Sequence, residues 1–327
     1  MRIGVTYDLR ADYLALGYSQ EDTAEFDAEE TIAALCDALA GLGHEPERIG
    51  GIRPLAQALV AGTRWDAVFN ICEGLKGVAR EAQVPALLEA FDIPYVFSDP
   101  LTLALALDKA KAKRVVRDAG VPTADFAVIE SESDIARVQL PFPLFLKPLA
   151  EGSGKGVDSR SKVDTQEELE NTARGLLKKF HQPVLVEEFL PGREFTVGIT
   201  GTGAQAVVLG VSEIIPNENF IGHGYGLENK EGWENKLEVV PARDDAAIAA
   251  GDVALMAWRA LGCRDGGRAD VRLDKNAQPC FIEVNPLAGI RPGYSDLCFI
   301  ADFEGVSHQQ LIGKFLASFL LRHPGLK

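Results

Sequence analysis

The chain reads as an α/β protein made of two or three packed units. Three observations predict this. Strand and helix patterns alternate through the first hundred residues, the order expected of a parallel sheet covered by helices. The second half carries several strand patterns and few helices, with acidic and basic residues set at alternate strand positions. The length, 327 residues with 46% hydrophobic and 25% charged side chains, exceeds a single average domain and supplies ordinary core material.

The elements follow in order. Arg2–Tyr7 reads as a short apolar strand and Ala28–Leu42 as a helix closed by Gly43. Trp65–Ile71 is a buried strand, Ala82–Ala90 a helix and Ile93–Phe97 the next strand. Ligands of such sheets gather where strand C-termini meet loops, here Tyr7–Glu30 and Asn70–Arg80. The stretch Leu9–Glu25 is long for a strand-to-helix connection, and long loops in compact domains are often functional. Asp108–Ala119 is a basic amphipathic helix ended by Gly120 and Pro122. Phe126–Val128, an acidic segment, the strand Leu144–Lys147, a glycine-rich turn over Glu151–Gly156 and a helix over Thr165–Phe180 then predict a small α+β domain at about 100–187. Strands follow at Val184–Glu188, Phe195–Gly201, Ala206–Glu213, Leu237–Val240, Gly267–Leu273 and Pro279–Val284. A long helix at Asp244–Leu261 interrupts them, and Ser307–Arg322 is the last helix.

A formal net charge of −15 and a pI near 4.9 argue against nucleic acid, whose phosphates need a positive surface. A nucleotide stays open, since it needs only a few placed cations and backbone amides. The five cysteines are widely spaced and form no CxxC, and four sit beside apolar residues as buried thiols. The chain enters a strand at once, without a secretory h-region, and no apolar run approaches the roughly 18 residues of a membrane span. A cytoplasmic protein that meets no membrane is expected.

Three blocks carry chemistry. In Arg268-Ala-Asp270 and Glu283-Val-Asn285, period-two alternation puts each pair on one strand face. If the two strands are antiparallel neighbours, two carboxylates and an amide oxygen converge as a hard-oxygen set suited to Mg²⁺. The alternative is a solvated hairpin. Lys147 ends an apolar strand just before the glycine-rich turn, which fits a phosphate contact or a flexible surface hairpin. The third block, Val184-Leu-Val-Glu187-Glu188-Phe-Leu190 followed by Pro-Gly-Arg-Glu194, fits a strand edge that reads adenine and ribose, or a hairpin with exposed acids.

In this order the blocks resemble the ATP-grasp superfamily, and within it the D-alanine–D-alanine ligases. The resemblance covers nearly the whole chain. Its strongest pieces are Asp108-Lys109 with Lys113, Lys147-Pro148 with Glu151-Gly-Ser153, Glu187 with Gly192-Arg-Glu194, and Arg268-Ala-Asp270 with Glu283-Val-Asn285. It implies a three-domain ATP-grasp architecture: a Rossmann-like N-terminal domain over 1–99, a central lid over 100–187 and a C-terminal catalytic domain over 188–327. It implies an ATP-dependent ligase that forms a dipeptide through an acyl phosphate, releasing ADP and phosphate. Lys109 and Lys147 would bind the phosphates, Glu187 and Leu190 the adenine with Glu188 beside them, and Glu194 the ribose. Asp270, Glu283 and Asn285 would hold two Mg²⁺ ions, with Mn²⁺ as the alternative. Arg268 and the amide of Gly289 would stabilise an oxyanion, Ser153 would position the first substrate, and Lys230 would reach the γ-phosphate from a closing loop. Amino-acid substrates and a homodimer are expected.

The substrate side departs from the pattern. The family's glycine-rich turn with Ser and Glu is replaced by Tyr7-Asp-Leu-Arg10, leaving Glu25 or Glu29 to hold an amine. Glu73 stands in the place of a histidine and Glu231 in that of a loop tyrosine, the latter similar to the ligases that make D-alanyl-D-lactate. His223 lies near a family loop histidine, or is merely exposed. Ser295 takes the place of a serine near the acceptor, and Arg291 adds a cation there. Alternatives therefore stay open: a ligase with another amino-acid or hydroxy-acid acceptor, or an ATP-binding sensor without activity. A Rossmann dehydrogenase is excluded, because no GxGxxG follows the first strand.

Overall fold

The first strand, β1 (Arg2–Tyr7), is buried on both faces, as its apolar run requires of a central parallel strand. In the computed structural model, which describes residues 1–220, 222–224, 226, 229 and 233–326, it pairs in parallel with β2 (Glu45–Gly50) and β3 (Ala67–Ile71). With β4 (Tyr95–Val96) the order is β2-β1-β3-β4. The loops after β1 and β3 leave the same end of this sheet, so Glu25, Asp27, Glu73 and Glu81 gather there.

The second sheet is antiparallel, in the order β5-β8-β6-β7. Its strands are β5 (Phe126–Ile129), β6 (Leu144–Pro148), β7 (Lys162–Val163) and β8 (Val184–Glu188). The helix Gln166–Phe180, capped by Thr165, lays Leu169 and Ala173 on it. The third sheet runs β11-β10-β9-β12-β13, all antiparallel. It comprises β9 (Glu194–Thr200), β10 (Val207–Pro216), β11 (Leu237–Pro241), β12 (Gly266–Leu273) and β13 (Pro279–Asn285). The helix Asp245–Ala260 covers one face with Trp258, and the core there includes Phe195, Val271 and Phe281.

The last two helices, Asp296–Phe303 and His308–Arg322, do not add a separate layer. Leu297, Leu311, Phe315 and Phe319 join Ile3, Val5 and Phe69 of the first sheet in one core. Asp265, at the entry to β12, reinforces the junction. It accepts from the backbone N–H of Phe97 at 2.8 Å and from Ser318 at 2.8 Å, and it pairs with Arg322.

Several elements depart from expectation. Glu45–Gly50 is polar and holds Pro46, yet it is an edge strand, where a missing N–H costs no ladder bond. Ile52–Val60, Pro100–Leu107 and Asp296–Phe303 are helices without an expected counterpart. Pro100–Leu107 is mostly apolar on all sides and so shows no single amphipathic stripe, and Asp108 separates it from the basic helix Lys109–Asp118, which it caps. The long stretch Leu9–Glu25 contains a short helix, Arg10–Ala15. All five cysteines are free thiols, and Cys72, Cys263, Cys280 and Cys298 are buried.

Candidate active site

Charges that the sequence scatters over 170 residues meet between the second and third sheets. Antiparallel pairing of β6 with β8 sets Phe145 opposite Glu187, so Lys147, two residues on, is a same-face neighbour of Glu187. Glu187 is 3% exposed and sits between two buried lysines, with Lys113 at 2.5 Å and Lys147 at 3.0 Å. Burial works against its charge, but Lys113 and Lys147 outweigh it and hold its pKa below the ordinary carboxylate value. Both oxygens of Glu187 face lysines, at the wall of a small cavity that Glu188 and Leu190 also line. The Glu187 carboxylate stands behind Lys147, orienting that amine. Lys147 and Lys109, the first residue of its helix, in turn reach Glu283 at 3.8 and 3.6 Å.

The expected hairpin of β12 and β13 is formed. Asp270 lies opposite Glu283, and Arg268 opposite Asn285. One nitrogen of Arg268 donates to both oxygens of Asp270, at 2.6 and 2.5 Å, and Nε lies 3.8 Å from Asp296. Burial opposes the guanidinium charge, while Asp270, Asp296 and Glu283 overcome this and raise its pKa above the ordinary arginine value. As a cation site the hairpin fits on its donors: two carboxylates face each other, and ammonium groups already approach one of them. Asn285 Nδ2 is buried with no hydrogen-bond partner, so turning that amide to present its oxygen breaks no bond of the nitrogen. Among the described residues no group of three or more His, Cys, Asp or Glu is suited to a metal. Two acids and an amide match an ion that completes its shell with phosphate oxygens.

Two cavities flank this hairpin. One, of about 100 Å³, is lined by Lys147, Glu188, Leu190, Glu194 and Asp270, with Phe145 and Phe189 stacked beside it. The other, of about 250 Å³, is lined by Glu73, Ser153, Arg268, Gly289, Arg291 and Ser295. Lys109, Glu151 and Glu283 line both. Gly289 leaves no room for a side chain, since a Cβ there would lie 2.8 Å from Ser295 Oγ. Ser295 Oγ also accepts from the backbone N–H of Arg291 at 3.0 Å.

The glycine-rich turn closes over the boundary. Gly154 and Gly156 have positive φ, as does Ser153 at 51°, and a Cβ at Gly156 would strike Pro148 at 2.5 Å. A network the sequence reading missed anchors this turn. Glu25 accepts from the backbone N–H of Gly152 at 2.6 Å and pairs with Arg80 at 2.9 Å and Lys155 at 3.5 Å. Lys155 also reaches Glu151 at 2.5 Å. Only Glu25, named as an amine holder, and Lys155, inside the glycine-rich turn, carried any signal. Glu29, the other amine candidate, is on the surface and pairs with Arg48.

His223 does not line the larger cavity. It is exposed and stands against Phe189, ring centroids 5.8 Å apart, beside the smaller one. Its partial burial, then Lys162 and Arg272, lower its pKa. Lys230 and Glu231 lie outside the described residues.

The three-sheet fold with this lysine–carboxylate constellation is that of an ATP-grasp enzyme. The VanG D-Ala:D-Ser ligase of Enterococcus faecalis superposes with a TM-score of 0.75 over 97% of this chain and 99% of that one, at 21% identity. The D-alanine–D-alanine ligase of Bacillus anthracis, complexed with ATP, gives 0.73 over 99% of each chain, also at 21%. At such identities the likeness is one of fold. The family model described as D-ala D-ala ligase C-terminus matches residues 115–317. A D-alanine–D-alanine ligase of Bordetella avium is 35% identical over 281 residues, 84% of each chain. The uncharacterized protein y4sG of Sinorhizobium fredii is 32% identical over 293 residues, 86% of this chain and 81% of that one. The chain belongs to the D-alanine–D-alanine ligase family and is an ATP-dependent ligase.

Proposed function

We propose that this chain joins two small amino acids, with D-alanine first among the candidates, through an acyl phosphate. The observation that supports the reading is the sharing of Lys109, Glu151 and Glu283 by the two cavities; a nucleotide in one and an amino acid in the other would meet, terminal phosphate to carboxylate, at that boundary.

In the first step a carboxylate oxygen attacks the γ-phosphorus, and ADP leaves with the bridging oxygen. In the second step the amine of the other substrate attacks the acyl carbon, a proton leaves the nitrogen, and phosphate is expelled. Lys109 and Lys147 bind the phosphates, and Glu187 holds Lys147 in place. Glu188 and Leu190 line the adenine end and Glu194 the ribose. Mg²⁺ or Mn²⁺, when held by Asp270, Glu283 and Asn285, supplies charge neutralisation on the transferring phosphoryl group. Arg268 and the Gly289 amide serve the oxyanion of the tetrahedral intermediate. Ser153 and Ser295 position substrates, Arg291 faces the acceptor carboxylate, and Lys230 serves the γ-phosphate. The turn Glu151–Gly156 excludes water that would hydrolyse the acyl phosphate.

The proposal extends to three domains at 1–99, 100–187 and 188–327, a homodimer and a cytoplasmic location. Among the described residues no helix is long and apolar enough to cross a membrane. ADP release, measured against D- and L-amino acids singly and in pairs and against D-serine and D-lactate, tests the reaction. ATP hydrolysis that no added amino or hydroxy acid stimulates would remove it.

A further inference from the structure

The glycine-rich turn Glu151–Gly156 follows β6 of the second sheet, yet it is tied to loops of the first. Glu25 comes from the loop after β1 and Arg80 from the loop after β3, and both side chains are 8% exposed. One Arg80 nitrogen donates to the carbonyl of Ala150 at 2.9 Å, and the other to both oxygens of Glu25, at 3.2 and 2.9 Å. Glu25 in turn accepts from the backbone N–H of Gly152 at 2.6 Å and lies 3.5 Å from the Lys155 ammonium. Two side chains from the first sheet's loops thus hold a carbonyl, an amide and a charge along this turn.

The sequence fits the closest point of this contact. A Cβ on Gly152 would lie 2.4 Å from Glu25 Oε1, so only glycine lets the carboxylate reach that amide. Between Gly152 and Lys155, Ser153 holds a φ of 51°, a left-handed conformation that is costly for a residue with a Cβ. The bonds on either side of Ser153 offset that cost. Burial works against the Glu25 carboxylate, but Arg80 and Lys155 outweigh it and hold its pKa below the ordinary value. Both oxygens are already engaged, which fits an anchor better than a ligand for a substrate amine.

The network lies at the boundary of the two cavities. Glu25 lines the larger and Lys155 the smaller. Glu151, which meets Lys155 at 2.5 Å and Gln182 at 2.6 Å, lines both. We propose that Glu25, Arg80 and Lys155 are positioning residues that dock the turn over this boundary, so that an acyl phosphate formed there meets the second substrate before it meets water. The inference rests on the ligase reading above and adds the anchor that ties ATP use to bond formation. With the anchor loosened, water attacks the acyl carbon in place of the amine. The bond from that carbon to the phosphate oxygen breaks, phosphate leaves, a proton passes to solvent, and the free carboxylate is regenerated.

The test counts ADP released per bond formed, using the full chain with Mg²⁺, ATP and D-alanine, or the pair of acids that the ADP-release screen selects. The wild type should release close to one ADP per bond. Glu25→Gln keeps the shape and loses the charge that faces Arg80 and Lys155. Lys155→Met cuts the link from the side of the turn and leaves the buried Glu25–Arg80 pair in place, so its melting temperature should hold. Each variant should raise the count about threefold or more, as water reaches the intermediate. A merely structural role would lower ADP release and bond formation together and keep the count near one. That result in both variants would overturn the inference and leave the ligase reading standing. Hydrogen exchange on the chain without ligands gives a second measure: the Gly152 amide should exchange about tenfold faster in Glu25→Ala than in the wild type. Equal exchange would overturn the docking itself. No ADP release by the wild type with any amino or hydroxy acid would sink the ligase reading, and this inference with it.

Discussion

Arg268 and Asp270 stand two residues apart on one face of β12, and a single guanidinium nitrogen donates to both oxygens of Asp270. The proposed oxyanion donor and a proposed metal ligand are thus one hydrogen-bonded unit, and a change in either disturbs the other. This coupling decides how variants at the site have to be read.

Arg268→Ala should lower kcat by about 10²–10³-fold, the size expected for one oxyanion donor, while ATP affinity changes little. Arg268→Lys should recover little, since a point charge on a flexible stem does not reproduce the planar fork. Steady-state kinetics, ATP binding and melting temperature on both variants make the check. A lysine variant with most of its activity would reduce Arg268 to a strand-steadying partner of Asp270.

Glu283→Gln should abolish turnover at ordinary Mg²⁺ and leave the fold intact. The carboxylate faces Asp270 across the hairpin and draws both Lys109 and Lys147. Its loss removes the charge that holds a divalent ion against phosphate. ADP release across a Mg²⁺ titration, beside circular dichroism, measures this. Near-normal rates would remove the metal assignment.

Lys113→Met should destabilise the chain by about 3–5 kcal/mol, the usual result of removing one partner from a buried ion pair. Lys113 is fully buried and is one of two cations holding Glu187. The pH dependence follows from the sign of the shift. The folded pKa of Glu187 is depressed, so its contribution is present above the unfolded carboxylate value, about 4.3, and is lost as pH falls through the folded value. With Lys113 gone the depression is smaller, and the loss should set in at higher pH. Urea midpoints between neutral pH and pH 3 would show it, and superimposable pH profiles would contradict it.

Asp265→Ala should cost about 3–5 kcal/mol and Asp265→Asn distinctly less. Asp265 has φ of 65°, a conformation that asparagine tolerates and alanine resists. Asparagine also keeps an acceptor for one of its two donors, the Phe97 N–H on one oxygen or Ser318 on the other, and loses the charge that faces Arg322. Denaturant unfolding of both variants compares them. Equal losses would mean that the charge alone matters.

The sequence by itself determined the class of fold and the chemistry of its blocks. Alternation of period two placed Arg268 with Asp270 and Glu283 with Asn285, because side chains of a strand alternate faces whatever their neighbours. The apolar run of β1 and the helix starts at Thr165, Asp244 and Ser307, where the structure finds side-chain caps, were legible for the same local reason. The edge strand Glu45–Gly50 was not, since its side chains are half exposed and carry no buried pattern. Only the tertiary structure decided that Asp270 faces Glu283, that Glu187 spends its charge on Lys113 and Lys147, and that Glu25 ties down Gly152 across 127 residues. It also drew Asp27, Glu73 and Glu81 onto one wall. Such contacts arise from strand order and crossover, which long-range packing selects, so no local period or spacing announces them.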